Sequence, residues 1–261
     1  MQPMGSRCCM KVKYDADARR ERQAFAQSVL KLSDRQLRKK LSLCMDGCVL
    51  AVPPKPQIRR ENYCRASETH CWRKPSEYNC IQLHGADRYR KQVPLARAIP
   101  LWGGCGFGGF APVIWHRKHK MDADEWVGAL QDGALTQAVR SVRSKRQPGL
   151  GHVICDNESF LMAPQSRAEY KRLGIRLWPI PPRSPDLNPV ELFWSWLKRD
   201  LAKRDLQDLL ARRAVLSKED YRRRIQGILR GRRAQQVGAA CTKSFRKACT
   251  LVVKNSGGAG K

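Results

Sequence analysis

The patterned part of the chain begins with Phe25, Val29 and Leu32 at helical spacing inside the basic stretch 15–40, where Ser33-Asp34 offers the start of a second short helix. At residue 41 the period changes. In LSLCMDGCVL, Leu41, Leu43 and Met45 alternate with Ser42, Cys44 and Asp46, as along a strand, so Asp46 shares a face with Ser42 and Cys44. PPKPQ then breaks regular structure, and residues 57–92 read as short strands and loops of weak periodicity. From Val93 to Trp115 two apolar runs flank WGGCGFGGF, the pattern of a hairpin with a glycine-rich turn.

The second half alternates helix and strand signals. Asp122-Ala-Asp-Glu125 forms a capping-box pattern that predicts a helix through Trp126, Leu130 and Val139, ending in SVRSKRQPG. GHVICDNES is a short apolar run that ends at Asp156, Pro164 to Leu173 predicts a helix closed by Gly174, and IRLWPI predicts a strand. SPDLNPVELFW marks a heavily signalled helix start. Ser184 precedes a proline and should be extended, Asn188 suits the N-cap, and Pro189 suits the first helical position. Glu191 is then the third helical residue, where a carboxylate can cap the helix and favour its positive end. That helix is expected to run on through LFWSWLKRDLAKRDL into a basic helical region, with 13 Lys/Arg against 5 Asp/Glu between Lys198 and Arg233. The predicted organisation is a basic helical segment over 1–40, an α/β domain over 41–204, a basic helical region over 205–250 and a disordered tail over 251–261 that ends in NSGGAGK.

Strands interleaved with helices predict an α/β layered domain, a mixed β-sheet flanked by helices. If the strands that carry Asp46 and Asp156 are neighbours, their side chains lie about 5 Å apart, the interstrand spacing. A helix packed against that sheet edge could bring Glu191 to the same point. Each acid alone has an ordinary explanation: Asp46 could start a turn with Gly47, Asp156-Asn157 could be a strand-end turn, and Glu191 could be a cap. Convergence of all three needs another reason.

Charge narrows the partner. The 261 residues carry 51 Lys+Arg against 23 Asp+Glu, a net charge of +28, far beyond what solubility needs. A polyanion, DNA or RNA, is the economical partner. The 42% hydrophobic content and 7 Trp exclude a mainly disordered basic tail. No run approaches a membrane span, and the polar N-terminus lacks the apolar core of a secretory signal, so an intracellular protein is expected. Its 11 cysteines are then expected as reduced thiols. Cys64, His70, Cys71, Cys80 and His84 crowd into 21 residues but lack the paired C-x-x-C of a zinc site. A formal G-x-G-x-x-G at Gly104, Gly106 and Gly109 is followed by the strand-like FAPVIW instead of a helix, so no dinucleotide site is assigned there.

CMDG, CDN and SPDLNPVELFWSWLK together give this sequence a resemblance to the endonuclease domain of mariner-type transposases, with weaker echoes in CWRKPSE, LWGGCGFGGFAPVIW and MDADEWVGAL, over about Ala18 to Arg204. The resemblance implies a ribonuclease H-like fold with Asp46, Asp156 and Glu191 as the catalytic acids, and the 34 residues between Asp156 and Glu191 match the spacing of the Glu-ending members. It further implies two Mg²⁺ or Mn²⁺ ions held by those acids, DNA as partner, and a nuclear location if the source is eukaryotic; a homodimer is left open. Phosphodiester cleavage at such a site needs hard oxygen ligands. His116, Arg117, Lys118, Lys120, Lys198 and Arg199 are the candidate phosphate contacts. The sequence departs from the family at Gly47, where an acid is usual, and at Glu158-Ser159-Phe160, where a His is usual. Only 45 residues precede Asp46, so the family's bipartite helix-turn-helix region is expected to be missing. A catalytically silent DNA-binding relic is the alternative, ahead of another ribonuclease H-like nuclease.

Overall fold

The computed structural model describes residues 14–53, 93–116, 120–144 and 149–258. The Cys64–His84 cluster, Arg117 and Lys118 lie outside them. Helices α1 (Ala16–Leu30) and α2 (Asp34–Lys40) lead into strand β1 (Leu41–Ala51). The Ser33 hydroxyl accepts from the Gln36 N–H while the Gln36 side chain accepts from the Ser33 N–H, so a full capping box starts α2. The hairpin β2 (Ala98–Gly106) and β3 (Gly109–Trp115) follows, as the two apolar runs predict. Next come α3 (Ala123–Gln131), α4 (Ala134–Val142), β4 (His152–Cys155), the single turn α5 (Ser159–Met162), α6 (Pro164–Leu173) and β5 (Arg176–Pro179). A 3₁₀ turn (Pro185–Leu187) leads into the long helix α7 (Pro189–Leu210), and α8 (Lys218–Arg230), α9 (Arg232–Lys243) and α10 (Phe245–Lys254) complete the chain.

The strands form a five-stranded mixed sheet ordered β3-β2-β1-β4-β5, antiparallel on the hairpin side and parallel across β1, β4 and β5. Both faces are covered, which is why β1 is buried continuously from Leu41 to Met45 although its sequence alternates. On one face Leu43, Met45, Trp102 and Val153 pack against Trp126 of α3, Leu135 and Val139 of α4, and Tyr170 of α6. Trp126 Nε1 donates to Tyr170 Oη at 2.6 Å inside that layer. On the other face Cys48, Leu50, Leu101 and Phe110 meet Val190, Phe193, Trp194 and Leu197 of α7 together with residues of α8 and α9. Cys44 and Ile154, further along, meet Val29 of α1 and Phe245, Cys249 and Val252 of α10.

Two expectations are corrected. The single helix drawn through Trp126 and Val139 is broken after Gln131, because Gly133 takes a left-handed conformation (φ 77°) that ends one helix and starts another. The tail expected to be disordered from 251 is ordered through Gly258. The Gly257 N–H donates to Val252 O at 2.8 Å, in the six-residue loop that typically closes a helix, with Gly257 at φ 79°. A Cβ at Gly257 would lie 2.1 Å from Arg19 O, so this end of the chain is seated directly on α1.

Candidate active site

Parallel pairing of β1 with β4 sets Cys44 opposite Ile154. Two residues further along each strand are Asp46 and Asp156, and the period of two puts each on the face of Cys44 and Ile154. That is the face covered by α7. The bond from Ile180 N–H to Cys155 O (2.9 Å) continues the β4–β5 pairing one residue past the end of β5, and Asn157 Nδ2 donates to Ile180 O at 3.1 Å, so both chain neighbours of Asp156 are tied to Ile180. Asp46 is mid-strand, and the residue paired with it across β2 is Gly103, which adds no side chain beside the carboxylate. A Cβ there would lie 2.6 Å from the Phe110 ring.

Glu191 arrives by helix packing. Phe110 of β3 stacks on Phe193 of α7 with ring centroids 4.0 Å apart and planes 6° apart, and meets Trp194 edge-on at 5.3 Å. These aromatic contacts clamp the first turns of α7 to the sheet. Asn188, at the N-cap position, makes no side-chain bond to its own helix, contrary to the expected cap. Its Nδ2 reaches instead across to Met45 O at 3.1 Å, the carbonyl of the residue before Asp46. Ser184, expected to be extended, avoids the α region as the following proline requires, but sits at φ −115°, ψ 53°. Its carbonyl is turned to accept from the Leu187 N–H at 3.0 Å, which closes the 3₁₀ turn. The loop is further held by Arg22, fully buried, which donates to both Asp186 carboxylate oxygens (2.8 and 2.6 Å) and to Gly257 O (2.9 Å).

The three carboxylates, each partly buried, sense one another. Asp46 is pushed up to about 8, first by burial, then by the negative charges of Glu191 and Asp156 and a hydrogen bond shared with Glu191; the Gly47 N–H, 2.7 Å from Asp46 Oδ1, opposes this. Asp156 is also raised, first by burial and then by the charge of Glu158, with a smaller push from Glu191. Asp156 Oδ1 is buried with no hydrogen-bond partner. Two raised acids and an orphaned buried carboxylate oxygen on one face of adjacent central strands fit a hard divalent cation, which would favour the charged forms that the site otherwise disfavours. Among the described residues no three His, Cys, Asp or Glu side chains stand as a ready-made ion cage.

The candidate phosphate contacts separate. His116 is 8% exposed at the end of β3, so its ring belongs to the interior and not to a basic surface turn. Lys120, Lys198 and Arg199 are exposed. Lys198 is placed best: it hydrogen-bonds the Cys48 thiol, which burial pushes up to about 11 and which also feels Asp46 and Glu191. Arg199 Nε donates to Ser195 O at 3.2 Å along its own helix. The tether made by Asn188 escaped the sequence reading because an Asn before Pro at a helix start signals a cap, and nothing local signals a partner 143 residues away.

Residues 120–211 match the family described as the DDE superfamily endonuclease, a span that includes Asp156 and Glu191 and stops short of Asp46. The fold resembles the crystal structure of the catalytic domain of Mos1 mariner transposase, with TM-score 0.59 and 12% identity over 97% of this chain and 100% of that one. It also resembles the Mos1 mariner paired end complex with Mn (TM-score 0.61, 11% identity, 98% of this chain and 67% of that one) and the Mos1 catalytic domain with Raltegravir and Mg (TM-score 0.56, 11% identity, 95% and 98%). No curated protein matches the chain by sequence.

Proposed function

We propose that the chain, whose residues 120–211 match the DDE superfamily endonuclease family and whose fold resembles that of the Mos1 mariner transposase catalytic domain, is a metal-dependent DNA endonuclease and strand-transferase. The observation that supports the reading is that Asp46 feels the charges of both Asp156 and Glu191 and hydrogen-bonds Glu191, on a strand that pairs in parallel with the one leading to Asp156. Asp46, which feels the charges of both other acids, would hold the two Mg²⁺ or Mn²⁺ ions together with Asp156 and Glu191. When bound, such a pair supplies an activated water or DNA 3′-hydroxyl and neutralises charge at the leaving oxygen. The similar Mos1 structures include complexes with Mg, with Mn and with a left transposon end, in keeping with this reading.

The chain's own residues do the rest. Asp46 and Glu191 would serve as anionic oxygen donors, and the clamp of Phe110 on Phe193 and Trp194 holds the first turns of the helix that carries Glu191 against the sheet. Lys198, seven residues along from Glu191 and so on the same side of α7, sets a cation beside the acids for a backbone phosphate. Lys120 and Arg199 add exposed charge for phosphates further along the duplex. Affinity governed by such contacts is similar for unrelated duplexes and falls with salt at a log–log slope of about 0.9 per phosphate neutralised. Action in the nucleus of a eukaryotic cell, and pairing of two copies on DNA, go with this reading.

A second reading, a DNA-binding relic without activity, draws on the absence of a ready-made ion cage among the described residues. Plasmid nicking with Mn²⁺ separates the two. Wild type should nick supercoiled DNA and Asp156→Asn should not; no nicking by wild type, or equal nicking by both, supports the silent reading.

A further inference from the structure

The side chain of Asn188 is 3% exposed, and its position at a helix start is the natural place for a cap that it does not make. Its Nδ2 is instead committed to Met45 O, at 3.1 Å and 143 residues away. The carbonyl of Asn188 in turn accepts the backbone N–H of Glu191 at 3.1 Å. Asp46 follows Met45 directly, so a continuous path of covalent and hydrogen bonds runs from Asp46 through Met45 O, the Asn188 amide and the Asn188 carbonyl to Glu191. Asn188 Oδ1 is buried without a partner. That orphan is a cost that an apolar residue would avoid and that packing alone does not explain. The cap for α7 has been exchanged for a tether between the two elements whose separation decides whether Asp46 and Glu191 can act together.

We infer that Asn188 is a positioning residue that fixes the first turn of α7 against β1 and so sets the spacing of Asp46 and Glu191 for divalent-ion binding. The inference rests on the proposed metal site and deepens it. Aromatic packing of Phe193 and Trp194 holds the body of α7 to the sheet, but ring contacts are less directional than a hydrogen bond and fix the position along the helix axis less sharply. A directed bond at the N-terminal end removes that freedom, and hard cations are sensitive to displacements of that size. The orientation of the amide follows from its partner: only the NH₂ end can face a carbonyl, so Oδ1 is turned away from β1.

Asn188→Ser provides the test, because serine is a good N-cap but too short to reach Met45 O. If Asn188 matters only for starting the helix, Ser should serve as well as Asn in every respect. If it positions the acids, the ion-free variant should melt close to wild type, while the Mn²⁺ concentration that half-saturates its thermal shift rises at least tenfold. Asn188→Ala, which neither caps nor tethers, should lose Mn²⁺ affinity to the same degree and is measured alongside as the second variant. On a Glu191→Gln background the Ser substitution should add little further loss of Mn²⁺ affinity, since the spacing it disturbs no longer matters. Either folded variant binding Mn²⁺ as wild type does, or full additivity with Glu191→Gln, overturns the inference. A wild type with no Mn²⁺-dependent shift fails differently, since it removes the metal site itself.

Discussion

Arg22 is the perturbation whose cost the structure specifies most fully. Its guanidinium, on α1, is 0% exposed, donates to both Asp186 oxygens and to Gly257 O, and lies 4.2 Å from the centre of the Tyr14 ring. One side chain therefore joins the N-terminal helix, the loop that feeds α7 and the C-terminal end. Truncation to Ala takes two charge-assisted bonds from the Asp186 carboxylate and the guanidinium bond from a carbonyl packed on α1. Breaking a buried pair from one side costs about 3–5 kcal/mol. For a domain of this size each kcal/mol lowers the melting temperature by about 2–4 °C, so Arg22→Ala should melt roughly 6–20 °C below wild type. Arg22→Met, which restores much of the volume, should recover only part of the loss if the charge pairing matters as well as the packing. Hydrogen exchange at Leu187 to Glu191 should accelerate in both variants, because their loop has lost its anchor. Melting within about 3 °C of wild type for both would refute the reasoning, and would mean that the C-terminal end and the Asp186 loop hold without Arg22.

Asp46 makes ion-free stability fall as pH rises. Its folded value of about 8 lies above the usual carboxylate range, so its contribution is fully present below about pH 4 and is lost as pH climbs through 8. Melts across this range should show that fall, and Asp46→Asn should melt higher than wild type at pH 8 without metal; a lower melt would contradict the shift. Phe193→Ala removes the ring stacked on Phe110 and should cost about 3–5 kcal/mol by denaturant titration, with nicking reduced as the Glu191 helix loosens. Placing after Asp46 the acid usual in mariner-type transposases, by Gly47→Asp, should destabilise by about 1–3 kcal/mol without raising activity, because a Cβ at Gly47 meets the Trp102 ring at 2.8 Å.

Much of the domain was legible because its signals are local. Alternation in LSLCMDGCVL, glycines between two apolar runs, and Gly174 after Leu173 each report the conformation of their own few residues, and each element stands where the pattern predicts it. The break at Gly133 was hidden because Trp126, Leu130 and Val139 keep a common apolar face across it, so periodicity continues where the backbone does not. The order at the C-terminal end was hidden for a different reason. NSGGAGK has the composition of a loose tail, and only the approach of α1, more than 230 residues away, gives Gly257 a donor to bond. Asn188 shows the same limit: the motifs around Asp46, Asp156 and Glu191 single those acids out through their resemblance to a transposase domain, whereas the bond from the Asn188 amide to Met45 O is a long-range contact that no local motif signals.

The central claim, that Glu191 acts as a metal-holding carboxylate together with Asp46 and Asp156 and not merely as a helix-end acid, is tested most directly by single-turnover nicking of supercoiled DNA in Mn²⁺ by Glu191→Gln beside wild type, with melts of both. Gln keeps the shape and suits the same helix position but removes the charge that holds a hard cation. The account predicts an unchanged fold and a nicking rate lower by orders of magnitude; full activity in Glu191→Gln, with wild type active, would contradict it.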